Sequence, residues 1–424
     1  MYERFIVYSS FWVNQLNMLN ILEKRKIKNH HPILNLEKGL SMFAVRAKSI
    51  LSPCRVLRKA YVIVDENRIV RISEEKPKNT KEIHNYDDCL LLPGLIDIHM
   101  HGGFGVDVTY SSAKEILNLS RNLPVTGVTS YMPSVVTDSF GQIRKALRNI
   151  VDAAKRLNKG SKILGIHLEG PYLNPIKGGA QPREHMRNPS LEEFKEFYDA
   201  SEKMLKRITV APEVKGGIEF IKNVTKRFKV KVSLGHTNAT YDQTLEAFKA
   251  GATIITHLYN GMRGYHHREP GIVGAALTED KVYAEVIADL VHLHPATLII
   301  TKRCKGPSKM ILVTDSISGA ALSDGVYKLG SQTITIKEGV ARLKNGSLAG
   351  STLTMIRAIR NIVKIGVSLE DAVRMATLTP SKAMGVKSIG KIAEGYRADF
   401  TILNEKLEVV ETYIDGKPML EEIL

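Results

Sequence analysis

The chain has 424 residues, 43% apolar and 25% charged, which is the composition of a globular protein with room for one large domain and a smaller one. No apolar run reaches the ~20 residues that span a bilayer, which argues against a helical membrane protein. The formal charge of +16 fits solubility and attraction to anions, including steering of an anionic substrate, but the basic residues are spread along the chain without a nucleic-acid-binding signature.

The cysteines, Cys54, Cys89 and Cys304, are too few and too widely spaced for a disulfide framework or a CxxC metal site. Each reads as a small buried hydrophobe, and the set fits a reducing, cytoplasmic setting.

In chain order, residues 1–41 read as a poorly ordered extension or as an upstream start that is not used. The apolar Phe5-Ile6-Val7-Tyr8 precedes the basic cluster around Lys24-Arg25-Lys26, the reverse of a secretory signal. Residues 42–90 carry a hairpin pattern, with apolar runs at 60–64 and 68–72 around the turn Asp65-Glu66-Asn67. Residues 385–424 read the same way, with runs at 399–403 and 409–414 before the turn Asp415-Gly416. The two ends predict one small β-sandwich domain built from 42–90 and 385–424.

Residues 91–384 alternate. Apolar runs lie at 91–98, 128–135, 163–168, 207–212, 230–235, 253–258, 283–290 and 310–314. Helical patterns at 142–157, 191–205, 241–250 and 296–304 separate several of them. Eight strands alternating with helices predict a (β/α)8 TIM barrel, in which catalytic residues sit at the C-terminal strand ends. Residues 324–350 interrupt the alternation with runs at 325–329 and 333–336, a predicted β insertion. Helices follow at 353–365 and 369–384.

The strand ends carry the chemistry. His99 and His101 sit at i, i+2 on one strand face, before Gly102-Gly103, and neutral imidazoles on one face can share a metal. Glu169 ends the third run ahead of Gly170-Pro171, with His167 on the same face one layer deeper. His236 and His257 end the fifth and sixth runs, and neutral histidine suits zinc or iron. Asp315 ends the eighth and is placed to accept a water's proton, with Glu213 as the competing acid at the fourth. Asn260 and Gly261 offer backbone N–H groups, Arg268 a forked donor and His292 a ring donor, a set suited to phosphate.

These stretches resemble the N-acetylglucosamine-6-phosphate deacetylases of the amidohydrolase superfamily, over roughly residues 43–420. The blocks His257-Leu258-Tyr259-Asn260-Gly261-Met262 and Arg268-Glu269-Pro270-Gly271 carry the likeness more specifically than His-X-His. The resemblance implies hydrolysis of N-acetyl-D-glucosamine 6-phosphate to D-glucosamine 6-phosphate and acetate. It implies that Glu169, His236 and His257 hold one divalent metal, that Asp315 transfers the proton, and that Asn260, Gly261, Arg268 and His292 contact the phosphate.

Ala180, Gln181 and the turn Leu348-Ala349-Gly350 would line the sugar and acetyl pocket. Some relatives lack His-X-His and bind one metal; this chain keeps both histidines, so a second ion bridged by Glu169 is expected. Some relatives have histidine where Gln181 stands, and the superfamily's bridging carboxylated lysine is replaced here by Glu169. Relatives are commonly dimers, so Arg268 is expected to serve a neighbouring subunit. No nucleic-acid or membrane partner is expected. The alternatives within the superfamily are deacetylation of N-acetylgalactosamine 6-phosphate and cyclic-amide hydrolysis. A non-enzymatic binding protein would have no need of Asp315 beside a metal cluster.

Overall fold

The computed structural model describes residues 42–52, 55–78 and 80–420; the expectation for residues 1–41 and the one for Cys54 lie outside them. Eight strands pair in parallel, in the order Leu95–Met100, Val128–Val136, Ile166–Glu169, Leu205–Val210, Lys231–Leu234, Ile254–Ile255, Tyr283–Ile287 and Met310–Val313. Most of their residues are buried, as expected of parallel strands covered on both faces, and this is why they read as apolar runs. The last strand meets the first through backbone hydrogen bonds. The Asp315 N–H donates to the His99 carbonyl at 2.9 Å, and the His101 and Gly102 N–H groups donate to the Ser316 carbonyl at 2.9 and 3.0 Å. The fold is the expected (β/α)8 barrel.

Helices form where a cap and an amphipathic stripe coincide. Ser112 and Glu115 make a capping box for Ala113–Asn122, Ser139 caps Phe140–Arg156, and Thr240 with Gln243 boxes Tyr241–Ala250. The helix expected over 191–205 ends at Ala200, because Leu205 already belongs to the fourth barrel strand. The one expected over 369–384 is two, Leu369–Ala376 and Leu378–Met384, broken at Thr377 with φ −136° and ψ −83°. Cys304 is exposed on the helix Pro295–Lys305 and Cys89 is half-buried, so neither is the buried hydrophobe expected of it.

Strands from both chain ends pair into one separate seven-stranded sheet, in the order Lys417–Pro418, Val409–Ile414, Phe400–Leu403, Glu82–Pro93, Phe43–Ser52, Arg55–Asp65 and Arg68–Ser73. Val45, Val62, Val64, Leu91, Phe400 and Tyr413 pack in its core. Gly94 alone separates this sheet from the first barrel strand. A Cβ there would lie 2.2 Å from Thr129 Oγ1, so the close passage requires glycine.

The insertion after the eighth strand is a three-stranded antiparallel sheet, Gly325–Leu329, Gln332–Lys337 and Val340–Arg342. It is tied to the barrel mouth where the Gly330 N–H donates to Asp107 Oδ2 at 2.6 Å. Among the described residues no helix is long and apolar enough to cross a membrane.

Candidate metal centre

The C-terminal strand ends deliver their side chains to one point. Glu169 Oε1 lies 3.1 Å from His257 Nε2 and 3.3 Å from His236 Nε2, while Glu169 Oε2 lies 3.2 Å from His101 Nε2. His99 Nε2 is 3.4 Å from Glu169 Oε1. Asp315 Oδ1 stands 3.1 Å from His101 Nε2. Two groups that could hold a metal result, His99–His101–Glu169 and Glu169–His236–His257, sharing the one carboxylate.

The backbone bends to make this possible. His236, His257 and Asp315 adopt φ of 47°, 30° and 48°. A side chain in that left-handed region costs of order 1–3 kcal/mol, and such strain collects at functional sites. Each strand thus turns sharply as it leaves the barrel, on the residue whose side chain joins the cluster.

Hydrogen bonding tests whether the cluster suits a cation. His101 Nδ1 faces the Ser134 carbonyl at 2.7 Å and His236 Nδ1 faces the Lys177 carbonyl at 3.0 Å. A carbonyl only accepts, so Nδ1 bears a hydrogen in both rings and Nε2 is the nitrogen turned inward. Yet His236 Nε2 lies 3.1 Å from His257 Nε2, and His101 Nε2 3.3 Å from His99 Nε2. Four buried imidazoles with nitrogens turned toward one another and a shared carboxylate form a donor set that fits divalent metal.

The two carboxylates draw positive charge to this point. Burial opposes charge on His99 and His101, but Glu169 and Asp315 outweigh it, pushing His99 up to about 9 and His101 well above its ordinary range. Burial would likewise raise Glu169 and Asp315. The charge of His99, with hydrogen bonds from the neighbouring histidines, instead holds Glu169 well below the usual carboxylate range and lowers Asp315.

The neighbouring candidates have other partners. His167 faces the hydroxyls of Ser134 at 2.9 Å and Thr209 at 2.8 Å, and burial, then the Arg207 charge, holds it well below its ordinary range. Glu213 accepts from Thr237 Oγ1 at 2.5 Å, the Asn238 N–H at 2.6 Å and Asn174 Nδ2 at 2.8 Å, so it braces the loop behind His236.

A cleft of about 160 Å³ opens onto the cluster. Ala180, Gln181, Asn260, Gly261, His292, Leu348 and Gly350 line it together with Glu169 and Asp315. Ala349 packs instead into an apolar cluster with Ile317 and Ile334, and Arg268 is exposed and is not part of the lining. Gln181 uses both ends of its amide: Nε2 donates to Glu169 Oε2 at 2.5 Å and Oε1 accepts from the Thr137 N–H at 2.8 Å.

His292 Nδ1 meets Asp289 at 2.7 Å. Burial would lower its pKa, but the Asp289 hydrogen bond and charge raise it above the ordinary value. Sequence reasoning missed Ile287 and Leu329 in the lining. Nothing in the sequence marks Leu329, whose hairpin folds over the mouth from outside the barrel.

A family model described as the amidohydrolase family matches residues 90–419. An N-acetylglucosamine-6-phosphate deacetylase of Bacillus subtilis (strain 168) is 37% identical over 375 residues, covering 87% of this chain and 94% of that one. An N-acetylgalactosamine-6-phosphate deacetylase of Escherichia coli O157:H7 is 39% identical over 333 residues, covering 78% and 88%. Among solved structures, a mutant N-acetyl-D-glucosamine-6-phosphate deacetylase of Mycobacterium smegmatis, in complex with N-acetyl-D-glucosamine-6-phosphate, superposes with a TM-score of 0.84 at 32% identity, covering 89% of this chain and 99% of that one. With the metal-ligand types gathered at its barrel mouth and these likenesses along most of its length, the chain belongs to the amidohydrolase family, among the N-acetylglucosamine-6-phosphate deacetylases.

Proposed function

We propose that the chain hydrolyses the acetamide of N-acetyl-D-glucosamine 6-phosphate, giving D-glucosamine 6-phosphate and acetate. The observation that carries this reading is the convergence of four imidazoles and a shared carboxylate beside Asp315, in a chain whose relatives are named for that reaction. Glu169, His236 and His257 would hold one divalent ion, and His99 and His101, with the same Glu169 carboxylate, would hold a second. Zinc or iron suits these donors. When bound, such an ion would supply Lewis acidity, for the acetamide carbonyl and for the attacking water.

Asp315, kept ionised by the histidines around it, accepts the proton of the attacking water and delivers it to the departing amine. His292, its Nδ1 held by Asp289, offers Nε2 to the cleft and receives the phosphate together with the Asn260 and Gly261 backbone. Arg268 lies outside the cleft of its own chain and completes the phosphate site of a second copy in a homodimer. Ala180, Leu348 and Gly350 form the wall for the sugar and acetyl group, with Ala349 packed behind. Gln181 contributes by holding Glu169.

Acetate release by the metal-loaded chain, from N-acetylglucosamine with and without its 6-phosphate, tests this reading. Turnover of the phosphorylated sugar is the expected result, and none on any amino-sugar phosphate would sink it. The 39% identity to a galactosamine-type enzyme favours a second reading, in which the 4-epimer is the preferred substrate. Ranking the two phosphorylated epimers by kcat/KM decides between them.

A further inference from the structure

Two charged residues that the proposed reaction does not use lie inside the barrel, beneath the ligands. Glu285 stands in the seventh strand, Tyr283–Ile287, and Arg207 in the fourth, Leu205–Val210; both side chains are wholly buried. Glu285 Oε1 pairs with Arg207 Nη1. Glu285 Oε2 accepts from the His257 backbone N–H at 3.4 Å and faces His99 Nδ1 at 3.2 Å. Arg207 also donates to Ser233 Oγ at 3.0 Å, Thr256 Oγ1 at 3.2 Å and the Ile98 carbonyl at 3.3 Å. The guanidinium is thereby fixed from three other strands and from Thr256 just beyond a fourth, and it fixes the carboxylate.

An ionised carboxylate only accepts hydrogen bonds. The hydrogen between Glu285 and His99 therefore sits on Nδ1, which leaves Nε2 as the nitrogen that His99 turns toward His101 and Glu169. His101 and His236 have this tautomer set by backbone carbonyls, and His257 Nδ1 has no hydrogen-bond partner among the described residues. Within the cluster, His99 is the ring whose outer nitrogen meets a carboxylate.

We propose that Glu285, anchored by Arg207, is the positioning residue of the metal site that includes His99: it fixes the tautomer and ring orientation with which His99 can act as a ligand. The proposal rests on the two-site reading above. The competing account is a buried ion pair that only fills the barrel, and it is indifferent to whether an acceptor faces His99.

Changing one partner alone would strand a buried charge, so both change together. Arg207→Met/Glu285→Gln removes the pair but keeps an amide oxygen before His99. Arg207→Met/Glu285→Met removes the acceptor as well. Zinc binding is read by equilibrium dialysis with elemental analysis. The glutamine variant should keep the affinity of the His99 site, and the methionine variant should weaken it about 10–100-fold, with the Glu169–His236–His257 site unchanged. Equal affinity in the two folded variants overturns the proposal.

Histidine ¹⁵N spectra of the metal-free chain supply a readout that needs no variant to fold. A proton on His99 Nδ1 in the wild type is expected, and a ring protonated on Nε2 alone overturns the proposal. If His99→Ala binds as much zinc as the wild type, the two-site reading fails, while the tautomer still decides the role of Glu285.

Discussion

Asp315 sits where an aspartate is under backbone strain, and that shapes how it can be tested. Asparagine tolerates the left-handed region better than most residues, so Asp315→Asn should keep the strand end and any bound metal. It cannot take the water's proton, and turnover should fall about 10²–10⁴-fold; near-normal turnover of the metal-loaded variant would remove the proton-transfer role. His292 makes the second prediction. Its pKa is raised by Asp289, so the ring keeps its charge to a higher pH than an ordinary histidine and loses it as pH climbs through the raised value. The kcat/KM for the phosphorylated sugar should therefore decline on the alkaline side, and His292→Asn should abolish that limb while lowering the plateau. An unchanged alkaline limb in the variant would take His292 out of phosphate binding. At this scale the residues of the cluster were legible, because strand-end histidines and a glutamate before Gly-Pro stand out from apolar runs. Glu285 and Arg207 did not stand out, since a charge within a strand says nothing of which strand will neutralise it.

The β insertion shows what one contact does for a whole element. Asp107 accepts from the N–H groups of Thr109 at 2.8 Å and Gly330 at 2.6 Å, and the hairpin so held carries Leu329 to the cleft wall. Asp107→Ala would leave both N–H groups without that acceptor, costing about 1–3 kcal/mol. A lower urea midpoint and a raised KM with little change in kcat are expected, whereas an unchanged KM would mean that the hairpin does not shape the pocket. Strand positions could be read from sequence to within a few residues because burial on both faces leaves a continuous apolar signature. The helix Gly271–Thr278 was missed for the opposite reason: Gly-Ile-Val-Gly-Ala-Ala-Leu-Thr is apolar on nearly all sides and shows no helical stripe. Ala113–Asn122 has both a stripe and a capping box, and its signal was present in Ser112 and Glu115.

For the whole molecule, a metal held at the shared carboxylate and the strained strand ends would add to stability. An ion that binds only the folded chain adds about 2.7 kcal/mol per site at a hundredfold excess over its Kd. Chelation should lower Tm and zinc should restore it; a Tm indifferent to both would argue against resident metal. The exposed position of Arg268 makes a prediction for the assembly. Arg268→Lys keeps the charge and loses the fork, so kcat/KM should fall far more for the phosphorylated than for the unphosphorylated sugar. Mixing Arg268→Lys with Asp315→Asn subunits should restore activity if the guanidinium crosses between copies, and no rescue in verified heterodimers would confine it to its own chain. The sequence could announce the barrel, whose strands are local. It could not show which loops fold over the mouth, since that depends on contacts such as Asp107 with Gly330, over two hundred residues apart.

The hydrogen bonds that close the barrel also have a meaning for biosynthesis. They join His99 and His101 to Asp315 and Ser316, so the two edges of the sheet meet at the cluster itself. A growing polypeptide displays His99, Glu169, His236 and His257 long before residue 315 leaves the ribosome. Until the last strand docks, the first has no strand neighbour on that side and the pair His99–His101 lacks the Asp315 carboxylate. Completing the sheet and completing the centre are then one event, and high-affinity zinc uptake becomes a timestamp for it. Stalled nascent chains ending before residue 310 should take up zinc weakly, and those extended past residue 384 should retain it through washing. Equal retention by both lengths would show that the centre matures before the sheet has closed.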